Sequence, residues 1–240
     1  MKRFWKEVTV GDEGIALDGR PVRTPGRAAL LLPTAALAEA VAEEWRAVGE
    51  TIDPRAMPLT GLANAAIDRI APDPAAFAKG LAAYGESDLL YYRAELPPPL
   101  IERQIAAWDP LLDWARHRYD VHFETVTGVM HRAQPAATIA RLGEAVGALD
   151  AFRLAGLSPV VTVSGSLVAA LALLEGAADA DSVWRAARID EDWQEEMWGE
   201  DDLATQHRDA HRADFMAGAR FLELLNPPPV GEVAREAVEG

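Results

Sequence analysis

The chain has 240 residues, with 38 Asp and Glu against 23 Lys and Arg, and a formal net charge of -15. A surface this acidic repels phosphate backbones, which argues against nucleic acid as a partner and for a basic or mixed protein surface. No cysteine is present, which excludes disulfides, thiolate nucleophiles and Cys-based zinc sites together, and a hydrophobic half of the composition supplies a sizeable core.

The first residues, MKRFWKEVTV, hold no apolar leader and pass directly into alternation. The expectation is a cytoplasmic protein without signal peptide, transit peptide or membrane insertion. Residues 1–33 read as β. Phe4 to Val10 alternates, Gly11-Asp12-Glu13-Gly14 turns the chain, and Ile15-Ala16-Leu17 leads through Asp18-Gly19 to Arg20-Pro21-Val22-Arg23. Asp-Gly suits a type I′ hairpin turn, whose central residues both need positive φ. Pro21 places its strand at a sheet edge, because it has no N–H for a second neighbour. Thr24-Pro25-Gly26 turns again into Ala28 to Leu32.

At Pro33-Thr34 the period changes. Thr34 is an N-cap, and Leu37, Val41 and Trp45 then recur on one helix face. Further helices are expected from Thr60 to Ile70 and from Pro74 to Tyr84, while Ser87 to Tyr92 fits a helix end or a short strand. Pro97-Pro98-Pro99 opens a long helix to Tyr119, bent near Pro110, with Ile101, Ile105, Trp108, Leu112 and Ala115 as its apolar stripe. A short strand over Val121 to Val126 precedes helices over residues 136–149, 159–175, 180–198 and 201–225, with a loosely held tail from about 226. The fold class is α+β: a small N-terminal β-hairpin subdomain, 1–33, followed by a larger, mostly helical domain, 34–240.

Candidate chemistry concentrates between Ile189 and Phe215. Glu191 and Glu195 are four apart, as are Asp192 and Glu196, and each such like-charge pair on a helix costs about 0.2–0.5 kcal/mol. Arg188 offsets part of that through Asp192. Trp193 and Trp198 stand among these acids, and Asp201 and Asp202 suit the start of the next helix after Gly199. So many neighbouring acids describe a surface, solvated or awaiting a basic partner, rather than a catalytic pocket. His207 and His211 have the i, i+4 spacing of zinc ligands, with Asp214 as a third. That spacing defines the alternative reading, a metal-dependent hydrolase. Arg208, however, stands where a metalloprotease helix carries its Glu base, and a cation there opposes metal binding. Neither a metal nor a cofactor is expected. Ser164-Gly165-Ser166 lacks the Gly-x-Ser-x-Gly elbow and reads as small residues for close helix packing. Arg103, Arg116, Arg118 and Arg132 are read as internal partners of the excess acids, and Trp45 and Trp108 as core.

Several stretches together resemble a known family. They are Asp18-Gly19-Arg20-Pro21-Val22-Arg23-Thr24-Pro25; Glu44-Trp45; Met57-Pro58-Leu59-Thr60 through Asn64-Ala65-Ala66-Ile67-Asp68; Asp88-Leu89-Leu90-Tyr91-Tyr92-Arg93; Gln104 to Trp108-Asp109-Pro110; and Glu195 to Trp198-Gly199. In this order they are similar to the assembly chaperones of the F-type ATP synthase that hold the free alpha subunit of its catalytic head. The resemblance implies a non-enzymatic protein, monomeric when free, that shields the alpha subunit until the beta subunit replaces it. It also implies a functional acidic residue before the Trp-Gly pair, which either Glu195 or Glu196 matches. The partner-binding face expected from both arguments comprises Glu191, Trp193, Glu195, Glu196, Trp198 and Gly199.

Overall fold

The computed structural model describes residues 2–11, 14–199 and 202–226. The Asp12-Glu13 turn, the helix-start role of Asp201 and of the Asp202 side chain, and the tail beyond Asn226 lie outside the described residues. Strands β1 (Val8–Gly11), β2 (Gly14–Leu17) and β3 (Arg20–Pro21) form one antiparallel sheet in that order. The β2–β3 turn has Asp18 at φ 48 and Gly19 at φ 76, the backbone that Asp-Gly favours. The Asp18 carboxylate accepts the backbone N–H of Lys6 at 3.1 Å and of Glu7 at 2.9 Å, and these bonds hold its pKa below the usual value. Pro21 does lie on an edge strand. Ala28 to Leu32 does not become a strand of the sheet. The tight loop closed by the Thr24 N–H on the Ala28 carbonyl leaves it a single bridge, Arg23 to Ala29.

Helix α1 (Ala35–Ala47) starts at Thr34, whose hydroxyl accepts from the Leu37 N–H at 3.1 Å and donates to the Leu224 carbonyl at 2.7 Å. One residue thus begins the first helix and ties it to the last. Leu37 and Val41 are fully buried, whereas Trp45 is only half-buried, edge-on to Trp5 with ring centroids 5.2 Å apart. Helix α2 (Pro58–Ala65) continues into a wider turn, Ala66–Ile70. It starts before Thr60 because the Glu44 carboxylate caps it from α1, accepting the Leu59 and Thr60 N–H groups at 2.8 Å each. Helix α3 (Pro74–Ala82) follows, capped by Asp73. Ser87 to Tyr92 contains a 3-10 turn, Leu89–Tyr91, and a two-residue strand β4 (Tyr92–Arg93), parallel to β5 (Val126–Thr127), which is all that forms of the strand expected from Val121.

Helix α4 (Pro98–Tyr119) buries Leu100, Gln104, Trp108, Leu112, Ala115 and Tyr119. The expected stripe was misplaced in its first half, where Ile105 is 47% exposed. Gln104 takes the buried position because its amide bridges two other segments: the oxygen accepts from the Ala94 N–H at 2.8 Å and the nitrogen donates to Asp190 at 2.6 Å. Helices α5 (Ala136–Gly147), α6 (Ala151–Ser164), α7 (Leu167–Leu174), α8 (Ala180–Ala187), α9 (Ile189–Trp198) and α10 (Asp202–Leu225) complete the body. Two expected helices, over 159–175 and 180–198, are each divided. Gly165 ends α6 in the left-handed region at φ 66, and the Ser166 hydroxyl caps α7 by accepting from Ala169 at 3.0 Å. Ser164-Gly165-Ser166 is therefore a helix break, not a packing stripe. Arg188 separates α8 from α9. Close packing by glycine occurs elsewhere. A Cβ on Gly218 of α10 would lie 2.7 Å from the Gly156 carbonyl of α6, so these two helices meet at backbone contact. One hydrophobic cluster runs from Trp5 to Leu225, and among the described residues no helix is long and apolar enough to cross a membrane.

At the centre lies a carboxylate. Asp88 is fully buried and accepts the N–H of Leu90 at 3.0 Å and of Val168 at 2.9 Å, which joins the β4 turn to the start of α7. Burial pushes its pKa up to about 6 against the downward pull of those N–H groups. The folded state therefore holds this proton where the unfolded chain has lost it, and the Asp88 contribution to stability falls as pH rises from about 4 to about 6. Denaturant unfolding of the protein beside its Asp88→Asn variant should show the stability difference moving against the wild type over that window. Trp108→Ala, which removes a side chain with no exposed surface, should cost about 3–5 kcal/mol, and the half-buried Trp45→Ala clearly less.

Candidate functional site

The acidic helix α9 is built onto α4. The Trp108 indole N–H donates to the Ala186 carbonyl at 2.7 Å, fixing the end of α8, and Gln104 holds Asp190 at the start of α9. Arg103, one residue earlier on α4, lies over the Trp193 ring at 4.9 Å and donates to Glu196 at 2.8 Å, which lowers the Glu196 pKa. Trp193 is accordingly half-buried rather than free.

The repulsion expected along α9 is largely resolved by three arginines. Arg188 donates to Asp192 at 3.0 Å and also to Glu195 at 2.9 Å. Arg208, from α10, donates to the other Glu195 oxygen at 2.7 Å. The Glu195 side chain, 21% exposed, is thus clamped between two guanidiniums and sits behind the face. Glu196 lies in the open, and Glu191 is exposed with no hydrogen bond or ion pair to any described residue. Arg103 pairs internally as expected, but that its partner is Glu196, and that Arg208 reaches Glu195, could not be read from the sequence, since both ion pairs bridge separate helices.

Helix α9 ends at Gly199, where φ 89 takes the chain out of the helix and the N–H bonds the Glu195 carbonyl at 2.9 Å. Just before it, Met197 is 53% and Trp198 79% exposed, and Leu203 is 64% exposed after the turn. Met197 and Leu203 escape sequence reasoning, because a single apolar residue in a polar stretch carries no periodic signal. The site is a bare apolar tip beside a row of acids, most of them already paired.

His207, His211 and Asp214 are all exposed on α10, and among the described residues no three His, Cys, Asp or Glu side chains are grouped to hold a metal ion. That removes the ligand set of the hydrolase reading. The middle arginines do pair internally: Arg116 with Asp113, Arg118 with Glu175 and Arg132 with Glu124. Between α4, α8 and α9 runs a groove of about 700 Å³, lined by Ala106, Pro110 and Trp114 on one side and by Ala186 and Ile189 on the other.

The site thus sets a charged and aromatic face on a helical body with a small β sheet. Solved structures share this fold along most of their length. The chain is 42% identical to the Atp12 of Paracoccus denitrificans, with a TM-score of 0.87, over 93% of this chain and 98% of that one. A mutant of the same Atp12p matches with a TM-score of 0.89 at 42% identity, over 93% and 97% of the two chains. An Agrobacterium tumefaciens protein, described as a candidate chaperone, matches with a TM-score of 0.88 at 42% identity, over 93% and 86%. The family pattern of the ATP12 chaperone protein matches residues 2–116. The chain belongs to the ATP12 chaperone family, the ATP synthase assembly chaperones that its motifs resemble.

The geometry separates the two glutamates. Glu195→Ala should lower stability by about 1–2 kcal/mol in denaturant unfolding, because it strips both Arg188 and Arg208 of a partly buried partner. Glu196→Ala, exposed and paired only with exposed Arg103, should leave the melting temperature unchanged.

Proposed function

We propose that this protein binds the unassembled alpha subunit of the F-type ATP synthase and covers the surface that the alpha subunit later buries against the beta subunit. Membership of the ATP12 chaperone family supports assembly as the context. The observation that carries the binding reading is the exposed Met197–Trp198 tip at the end of an acidic helix. An unassembled subunit exposes apolar surface that aggregates when left free. Trp198 and Met197 supply the apolar contact, and aromatic anchors of this kind are enriched among binding hot spots. Glu191 and Glu196 supply the charged rim, Trp193 and Gly199 shape it, and Glu195 holds α9 against α10 from behind. The net charge of -15 speeds encounter with a basic client surface, while a small apolar contact keeps release possible. The beta subunit then displaces the protein by competing for the same client surface. The protein works as a cytoplasmic monomer.

Capture of purified alpha subunit by the wild type and by a Met197→Ser, Trp198→Ser double variant tests this. The variant should bind at least about tenfold more weakly with an unchanged melting temperature. Equal affinity would remove the tip from the mechanism, and no capture by the wild type would remove the alpha subunit as client.

A further inference from the structure

We infer that the groove between α4 and the α8–α9 bend docks a basic, amphipathic helix of the client; this rests on the client-binding reading above. The α4 wall is one helix face: Arg103, Ala106, Pro110 and Trp114 follow one another at three- and four-residue steps. Across from it stand Ala177 and Ala186. Alanine walls let a third helix approach closely, since packed helix axes lie about 8–10 Å apart and small side chains set the near limit. The surface inside is mainly apolar, with Leu111, Trp114 and Ile189 contributing.

The groove rim selects a cationic occupant. At one end stand Asp192 and Glu196, each holding one arginine, with carboxylates half-exposed and able to accept further N–H donors. The rim's own cations are engaged. Arg103 is held by Glu196 and Trp193, and Arg185 donates to the Ser182 hydroxyl and acts on the nearby Asp179 carboxylate. Helix α9 places Asp192 and Glu196, and no base, on that wall. An apolar helix flanked by Arg or Lys gains burial, charge-assisted bonds and long-range attraction together; an acidic one gains only the first.

The test uses two designed amphipathic helices about 18 residues long, some five turns each, one of Leu and Arg and one of Leu and Glu. Their affinities are measured for the wild type and for the groove-filling variants Ala106→Trp and Ala177→Trp, both changed at exposed alanines. The wild type should bind the Leu/Arg helix at least about tenfold more tightly than the Leu/Glu helix, and both variants should lose about tenfold of that binding with unchanged circular dichroism and melting. If one variant fails to fold, the other decides. Equal binding of both helices, or wild-type binding by the filled variants, overturns the groove. The same variants are then assayed for capture of purified alpha subunit. Wild-type capture by them overturns docking of the client in the groove while leaving the client reading intact. No capture by the wild type overturns the client reading, and with it the client as occupant, whereas the designed helices still decide whether the groove takes a basic helix.

Discussion

A single hydrogen bond, from the buried Trp108 indole to the Ala186 carbonyl, decides where the proposed binding face can be. Tryptophan is too large to bury without filling a core position and too polar at one atom to bury without a partner. Here the partner is the last turn of α8, so the chain must leave α8 at a set distance from α4 and bend at Arg188. Gln104, one turn earlier, repeats the constraint by holding Asp190. The position of α9 is then over-determined, and the exposed Trp198 at its far end is carried on a rigid support rather than on a loop.

The same logic of polar groups completing distant elements recurs along the chain. Glu44 of α1 caps α2, Asp68 accepts from Thr24 Oγ and the Gly26 N–H, and Asp88 joins the β4 turn to α7. Each carboxylate satisfies N–H groups that the helix or turn geometry leaves without a partner. These residues lie in the stretches by which the sequence resembles its family. A motif shared for this reason reports how the scaffold is joined, and only the Glu195 to Gly199 stretch among them also reaches an exposed, aromatic surface.

Local rules were therefore legible and long-range ones were not. Thr34, the Asp18-Gly19 turn and the edge position of Pro21 follow from one residue's stereochemistry, and the structure keeps all three. The helix breaks at Gly165 and Arg188 were missed because the helical pattern of the sequence continues across them, and only the fold shows the chain leaving the helix there. The stripe of α4 was misassigned because Ile105 looks like core and Gln104 does not; two bonds to segments ten and eighty-six residues away invert that order. The acids of α9 were recognisable as a surface, but Glu195 reads like Glu196 until Arg208 is brought against it from α10.

That difference changes what the acidic stretch is for. A carboxylate with both oxygens engaged by guanidiniums has little left to offer a partner, and its charge is already compensated where it stands. The proposed binding then falls to what the network leaves open: the apolar tip at Met197 and Trp198, Glu191, which has no partner among the described residues, and the second lone pairs of Asp192 and Glu196. Charge in this helix does two jobs at two depths. The inner acids fasten α9 to α4 and α10, and in the proposed binding the outer ones, with the net charge behind them, draw a basic surface toward an exposed aromatic anchor. A face assembled this way suits binding through a few contacts and release through the same few, as the proposed hand-over of a client requires.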